Sequence, residues 1–122
     1  MKVFEYAVVR AVPRIERGEC LNVGVIVYCQ AADYLGAGVH VNEDRLLALD
    51  PSADVEAVTS AVDAIKALCA GTTGPAAAAS PGERFRWLTA PRSTIVQPGP
   101  VHSGLTDKPE AELSRLFDDL VR

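Results

Sequence analysis

Two runs of strand-forming residues, separated by one short polar stretch, constrain this chain more than any other feature. Residues 2–12, KVFEYAVVRAV, are rich in valine and aromatics and hold no glycine, proline or asparagine, which is the composition of a strand. Phe4, Tyr6, Val8, Arg10 and Val12 fall on one face; Val3, Ala7, Val9 and Ala11 fall on the other. Both faces are mostly apolar, so a central strand is expected. Pro13 ends the run because proline cannot donate to a ladder. Residues 20–30, CLNVGVIVYCQ, alternate more cleanly: Leu21, Val23, Val25, Val27 and Cys29 against Asn22, Gly24, Ile26 and Tyr28. The intervening PRIERGE reads as a loop with Gly18 at positive φ. A third strand is expected from Tyr34 to Val41, after a turn at Ala31-Ala32-Asp33. Three strands on short connections predict an antiparallel meander.

The middle of the chain carries helical spacing instead. Asn42 is placed to cap a short helix over residues 43–49, and Asp50-Pro51 to open the next. Val55, Val58, Val62, Ile65, Leu68 and Cys69 then make one apolar stripe that ends at Gly71. Residues 71–82, GTTGPAAAASPG, read as a flexible loop because glycine and proline flank the alanines. Residues 84–90 fit a helix or a strand equally well. Strand character returns at residues 93–97 and stops at Pro98 and Pro100. Asp107 and Glu110 resemble a capping box for a last helix, with Leu113, Leu116, Phe117 and Leu120 on one face. The expected fold is one α+β domain over residues 1–122. Its antiparallel sheet has three to five strands and is covered by the long central helix and the C-terminal helix.

Composition now narrows the function classes. The formal charge is −4 and the pI near 5.1, whereas nucleic-acid-binding domains commonly exceed a pI of about 9. That argues against bulk nucleic-acid binding. The acidity is local: residues 31–75 carry a net −5, while residues 1–30 carry +1 and residues 76–105 carry +2. No apolar run approaches the roughly 20 residues of a membrane helix, and no signal-peptide pattern follows Met1. Three cysteines without a C-x-x-C suit a reducing compartment, so a cytoplasmic location is expected.

The densest polar constellation is Arg10, Arg14, Glu16, Arg17, Glu19 and Asn22. A hairpin centred on Glu16 puts Arg10 opposite Asn22, with the loop arginines over the same end. Guanidinium forks suit phosphate or carboxylate, and the Asn22 amide can orient a ligand through either end. Gly24 leaves a gap on that face. The competing account is internal ion pairing of these arginines with Glu5, Glu16 or Glu19. A second group, Arg84, Arg86, Trp87, Arg92 and Ser93, interleaves bases with an aromatic, as single-stranded nucleic-acid binders do. The plainer account has Phe85 and Trp87 as core anchors with arginines snorkelling around them. His40 and His102 lack metal-ligand spacing, so no metal site is expected. His102, in a Pro/Gly-framed loop, is the better acid–base or ligand candidate. Gly36-Ala37-Gly38 stops short of a dinucleotide fingerprint, and no P-loop or nucleophile elbow occurs. No cofactor is implied.

Tyr6-x-x-x-Arg10, followed by Arg14-x-Glu16-x-Gly18-Glu19-x-x-Asn22-Val23-Gly24-Val25, resembles the opening signature of an uncharacterised bacterial family, domain of unknown function 3037. Arg45-Leu46-Leu47-Ala48-Leu49-Asp50-Pro51, the Arg92-Ser93 region and Leu116-Phe117 resemble it too, so the likeness spans nearly the whole chain. The resemblance implies a protein often encoded beside a HipA-like kinase, and it marks Tyr6, Arg10, Arg14, Glu16, Asn22 and Gly24 as binding positions. Arg92 and His102 join them from the residue reading. The leading expectation is a non-catalytic partner or regulator of a HipA-like kinase, touching it through the hairpin end. The enzyme alternative is a small phosphate- or nucleotide-handling activity, with Arg10, Arg14 and Arg92 on the phosphate and Glu16 or His102 as acid–base. Single-stranded nucleic-acid binding through residues 84–92 is a third. An enzyme predicts Arg10, Asn22, Arg92 and His102 converging in a concavity. A partner protein predicts a flat, partly apolar patch or an open sheet edge.

Overall fold

The hairpin dictates the architecture. In the computed structural model, which describes residues 1–71 and 77–122, β1 (Lys2–Ala11) pairs antiparallel with β2 (Leu21–Cys29). A 3-10 turn at Gln30–Ala32 leads into β3 (Tyr34–Val39), antiparallel to β2. Asp33 turns the corner at φ 50°, a left-handed conformation that aspartate tolerates better than most residues. Late in the chain, β4 (Val96–Pro98) and β5 (His102–Thr106) return to the free side of β1. Strand order is therefore β3-β2-β1, with β4 and β5 sharing the far edge. The meander and the central position of β1 are as expected, in an α+β fold with a five-stranded antiparallel sheet. The third strand is shorter than expected, stopping at Val39 rather than Val41.

Two register slips aim the side chains. Val9 faces Gly24 while Arg10 faces Asn22, so Val23 is an extra residue in β2. This bulge moves Val23 to the opposite face from Val25, Val27 and Cys29, correcting the uninterrupted alternation expected from sequence. It also puts Asn22 on the face of Val25. On the other side of β1, Val9 faces Pro98 and Tyr6 faces His102, so three steps along β1 match four along its partner. Gly99 continues β4, its N–H donating to the Val8 carbonyl at 2.7 Å. The surplus residue lies in the segment containing Pro100, which has no N–H to place.

Three helices cover one face. α1 (Glu43–Leu49) starts at Asn42, whose side chain accepts from the Arg45 N–H at 3.1 Å. α2 (Val55–Ala70) is capped by Asp54, not Asp50. Asp50 instead accepts from both the backbone N–H and the hydroxyl of Ser52, so Pro51 sits in a turn ahead of the helix. α2 ends at Gly71, which adopts φ 63° as a left-handed cap. α3 (Pro81–Thr89) settles the ambiguous segment as helix. Ser80 and Glu83 form a capping box and Pro81 occupies the first turn. The loop expected over residues 71–82 thus gives way to helix at its end, and residues 72–76 of it lie outside the described residues. Val9, Val23 and Ile26 meet Leu46, Val58, Val62, Phe85 and Leu88 in the larger core cluster.

Among the described helices, α4 (Pro109–Leu120) alone covers the opposite face, packing Leu113, Leu116 and Phe117 on Phe4, Val25, Val27 and Cys29. Gly36 and Gly38 of β3 make its seat. A Cβ at Gly38 would lie 2.8 Å from the Phe117 ring, and one at Gly36 would lie 3.1 Å from Leu113. The capping box expected at Asp107 does not form. Lys108 is the N-cap without a side-chain bond, the Thr106 hydroxyl accepts its N–H, and Asp107 pairs with the Met1 ammonium at 3.5 Å. No described helix is long and apolar enough to cross a membrane.

Candidate functional site

α4 lies over β2 and β3, leaving the β1 side of its face partly open. Tyr6, Val8 and Arg10 point to that side at two-residue spacing, across from His102, Gly99 and Gln97 respectively. The Tyr6 and His102 rings are 5.2 Å apart between centroids and tilted by 35°, and Phe4 stacks on the other side of Tyr6 at 6.0 Å. Four residues of strand, about 13 Å, separate Tyr6 from Arg10. No carboxylate lies within ion-pair distance of Arg10 among the described residues. Its guanidinium lies beside Gly99, where a Cβ would approach Cζ at 3.0 Å.

Asn22 faces Arg10 in register, as the hairpin arithmetic predicts. Its side-chain nitrogen donates to the Leu120 carbonyl at 3.0 Å, so the amide ties the end of α4 to the sheet. The gap expected beside Gly24 is filled: a Cβ there would meet the Gly38 carbonyl at 3.1 Å and Val39 at 3.2 Å. Gly24 therefore serves close strand packing.

The hairpin loop keeps its charges to itself. Arg14 pairs with Glu16 at 3.0 Å and Arg17 with Glu19, all four residues exposed. Glu16 is held below the ordinary carboxylate value by a backbone hydrogen bond at Glu16 itself, then by Arg14. Arg17 lowers Glu19 by a direct hydrogen bond. Gly18 adopts φ 72° and closes the turn, its N–H donating to the Arg14 carbonyl. The crevice between this loop and Asp50 holds only about 10 Å³, room for about one water.

Arg84 and Arg86 are likewise committed. Arg84 runs inward and donates to the Ala79 carbonyl at 2.7 Å and the Cys69 carbonyl at 3.4 Å. Arg86 pairs with Glu5 at 2.9 Å and lies over the Phe85 ring. Phe85 is the core anchor, stacked on Tyr28 at 5.3 Å. Trp87, expected to share that role, is 44% exposed. Arg92 donates to the Trp87 carbonyl at 2.7 Å, at the end of α3. It lines a cleft against α2, on the face opposite Arg10, Asn22 and His102.

The structure thus brings Tyr6, Arg10, Asn22 and His102 to one sheet face and leaves Arg14, Glu16 and Arg92 elsewhere. Three clefts measure about 380–440 Å³, and neither Arg10, Asn22 nor His102 lines any of them. No cluster of three metal-ligating side chains occurs among the described residues. Burial pushes the Cys69 thiol up to about 12, with Arg84 opposing, so it is a core hydrophobe at neutral pH.

A family model described as a protein of unknown function, DUF3037, matches residues 6–121. The chain belongs to the DUF3037 family. No curated protein and no solved structure matches it. The match begins at Tyr6, the first residue of the open strip, and runs past Leu120, the acceptor of the Asn22 amide. Within this DUF3037 chain, sequence reasoning missed a surface beside the strip. Val3 and Leu105 face each other across β1 and β5 on the three-helix side, 61% and 58% exposed. β5 itself pairs only with β1 among the described residues, so its outer edge is open. The exposed Val3 breaks no pattern along β1, and the sequence around His102 reads only as loop, so no local signal could have found the pair.

Proposed function

We propose that this DUF3037 protein acts without catalysis, as the binding partner or regulator of another protein, and that the β5 edge is its contact. The observation that carries the reading is the edge itself. Five residues of strand offer unpaired backbone groups, with Val3 and Leu105 on one flank and Tyr6 and His102 on the other. Such an edge is a template for an added strand. An exposed apolar pair beside it supplies area that a soluble surface otherwise covers. Convergence of Arg10, Asn22, Arg92 and His102 was the enzyme's requirement, and Arg92 is on the far face. The resemblance supports a HipA-like kinase as the partner class, in a bacterial cytoplasm.

Co-purification with a HipA-like kinase tests the reading. The wild-type chain is expected to form a stable complex, and Leu105→Lys to weaken it at least tenfold without shifting the melting temperature. Absence of a complex with both proteins folded rejects the partner. A complex indifferent to Leu105→Lys rejects the edge.

A further inference from the structure

On the three-helix side, the outer surface of α2 and the bend leading into β4 bound an open cleft of about 380 Å³. Ala64, Ile65 and Leu68 form one wall; Ile95 and Val96 form the other. Ile65, Leu68 and Ile95 are only half-buried, so their apolar surface faces solvent across the gap. At roughly 30 Å³ per water-sized unit, the space holds about a dozen heavy atoms. It falls within the usual range of about 300–1,000 Å³ for small-ligand sites.

Among the described residues, Arg92 is the single charged one lining this apolar cleft. Its Nη2 donates to the Trp87 carbonyl and its Nε to the Ala90 carbonyl, at 2.7 and 3.4 Å. Those bonds cap the end of α3 and hold the guanidinium in place, but carbonyl dipoles do not neutralise a full charge. No carboxylate lies within ion-pair distance of Arg92 among the described residues, and its Nη1 has no hydrogen-bond partner there. An apolar wall beside a positioned, unneutralised fork has a definite complement. The guanidinium accepts a carboxylate through its remaining donors, and the aliphatic walls accept the chain behind it.

We infer that this cleft binds a small amphipathic carboxylate, an aliphatic acid with its head on Arg92 and its tail between α2 and the bend leading into β4. The inference uses the face opposite Tyr6 and Arg10 and stands independently of the partner contact.

Octanoate below its micellar concentration is the probe, with octan-1-ol as the uncharged control, followed by amide chemical shifts of the full chain. Octanoate is expected to bind saturably at millimolar concentration, moving the amides of Ile65, Leu68, Arg92 and Ile95 together. Arg92→Gln should weaken it about tenfold, in line with loss of a charge-assisted hydrogen bond. Ala64→Glu, at an exposed helical position, preserves the fold, crowds the cleft and supplies Arg92 with a carboxylate, and should abolish binding. Several results would overturn the inference: no saturable binding, octan-1-ol binding as tightly, shifts elsewhere, or an affinity unchanged in Arg92→Gln.

Discussion

The two faces of the sheet are finished to different depths. On one, α1, α2 and α3 close over a continuous core in which Ile26, Leu46 and Phe85 lose all contact with solvent. On the other, a single amphipathic helix covers β2 and β3 and leaves the β1 strip half-open. The first face is where folding free energy is concentrated, because its largest core side chains are sealed from several directions. The second carries the polar or amphipathic side chains of Tyr6, Arg10 and Asn22, and a helix tied down by one side-chain amide. Burial is thus divided unequally between the sides of one sheet.

The sharpest way to break this division is to truncate one anchor on each face. Phe85→Ala should cost about 3–5 kcal/mol in denaturant unfolding. Leu116→Ala, under α4, should fall at the low end of the roughly 2–5 kcal/mol for buried leucines. A larger loss from Leu116→Ala would mean that the faces contribute equally.

Alkaline pH separates the faces next. Burial raises the Cys69 thiol from 9.0 to about 12. The folded thiol keeps its proton while the unfolded one ionises, so this contribution is whole below pH 9 and is lost as pH rises toward 12. Its size is on the order of a few kcal/mol. Burial, then Glu110, raises Tyr34 under α4 in the same sense, but from a half-exposed site. Stability measured between pH 9 and 11 should therefore decline less steeply in Cys69→Ala than in Tyr34→Phe. The reverse order would put the drier environment under α4.

The smallest effect concerns the tether. Asn22→Ala should lose about 0.5–1.5 kcal/mol and speed amide hydrogen exchange in the last turn of α4, leaving α2 unchanged. Equal acceleration in both helices would show that the tether supports the whole fold.

Local pattern made much of this legible. Alternation and the Pro13 stop defined β1, and the stripe from Val55 to Cys69 defined α2. Competition between similar local signals hid other parts. Asp50 and Asp54 both precede a helical stripe, and only the hydrogen bonds to Ser52 decide between them. Ser80 and Glu83 spell a capping box, but the alanine-rich stretch before them reads as loop. The bulge at Val23 has no residue signature of its own. For the site, the register of Arg10 with Asn22 followed from counting, because a hairpin is local. That Asn22 would bind Leu120, or His102 lie against Tyr6, depends on how distant segments return to the sheet, and no spacing encodes that.

The one-residue slip between β4 and β5 has a further consequence for how this protein behaves in a crowded solution. A long, regular outer strand would let copy after copy add at the same edge, as in a fibril. Here the edge is cut into pieces of three and five residues, with Pro100 between them and side chains out of phase across the break. A partner that joins β5 gains only a short ladder, so its selectivity must come from the flanking side chains. The edge can be joined, but it does not propagate.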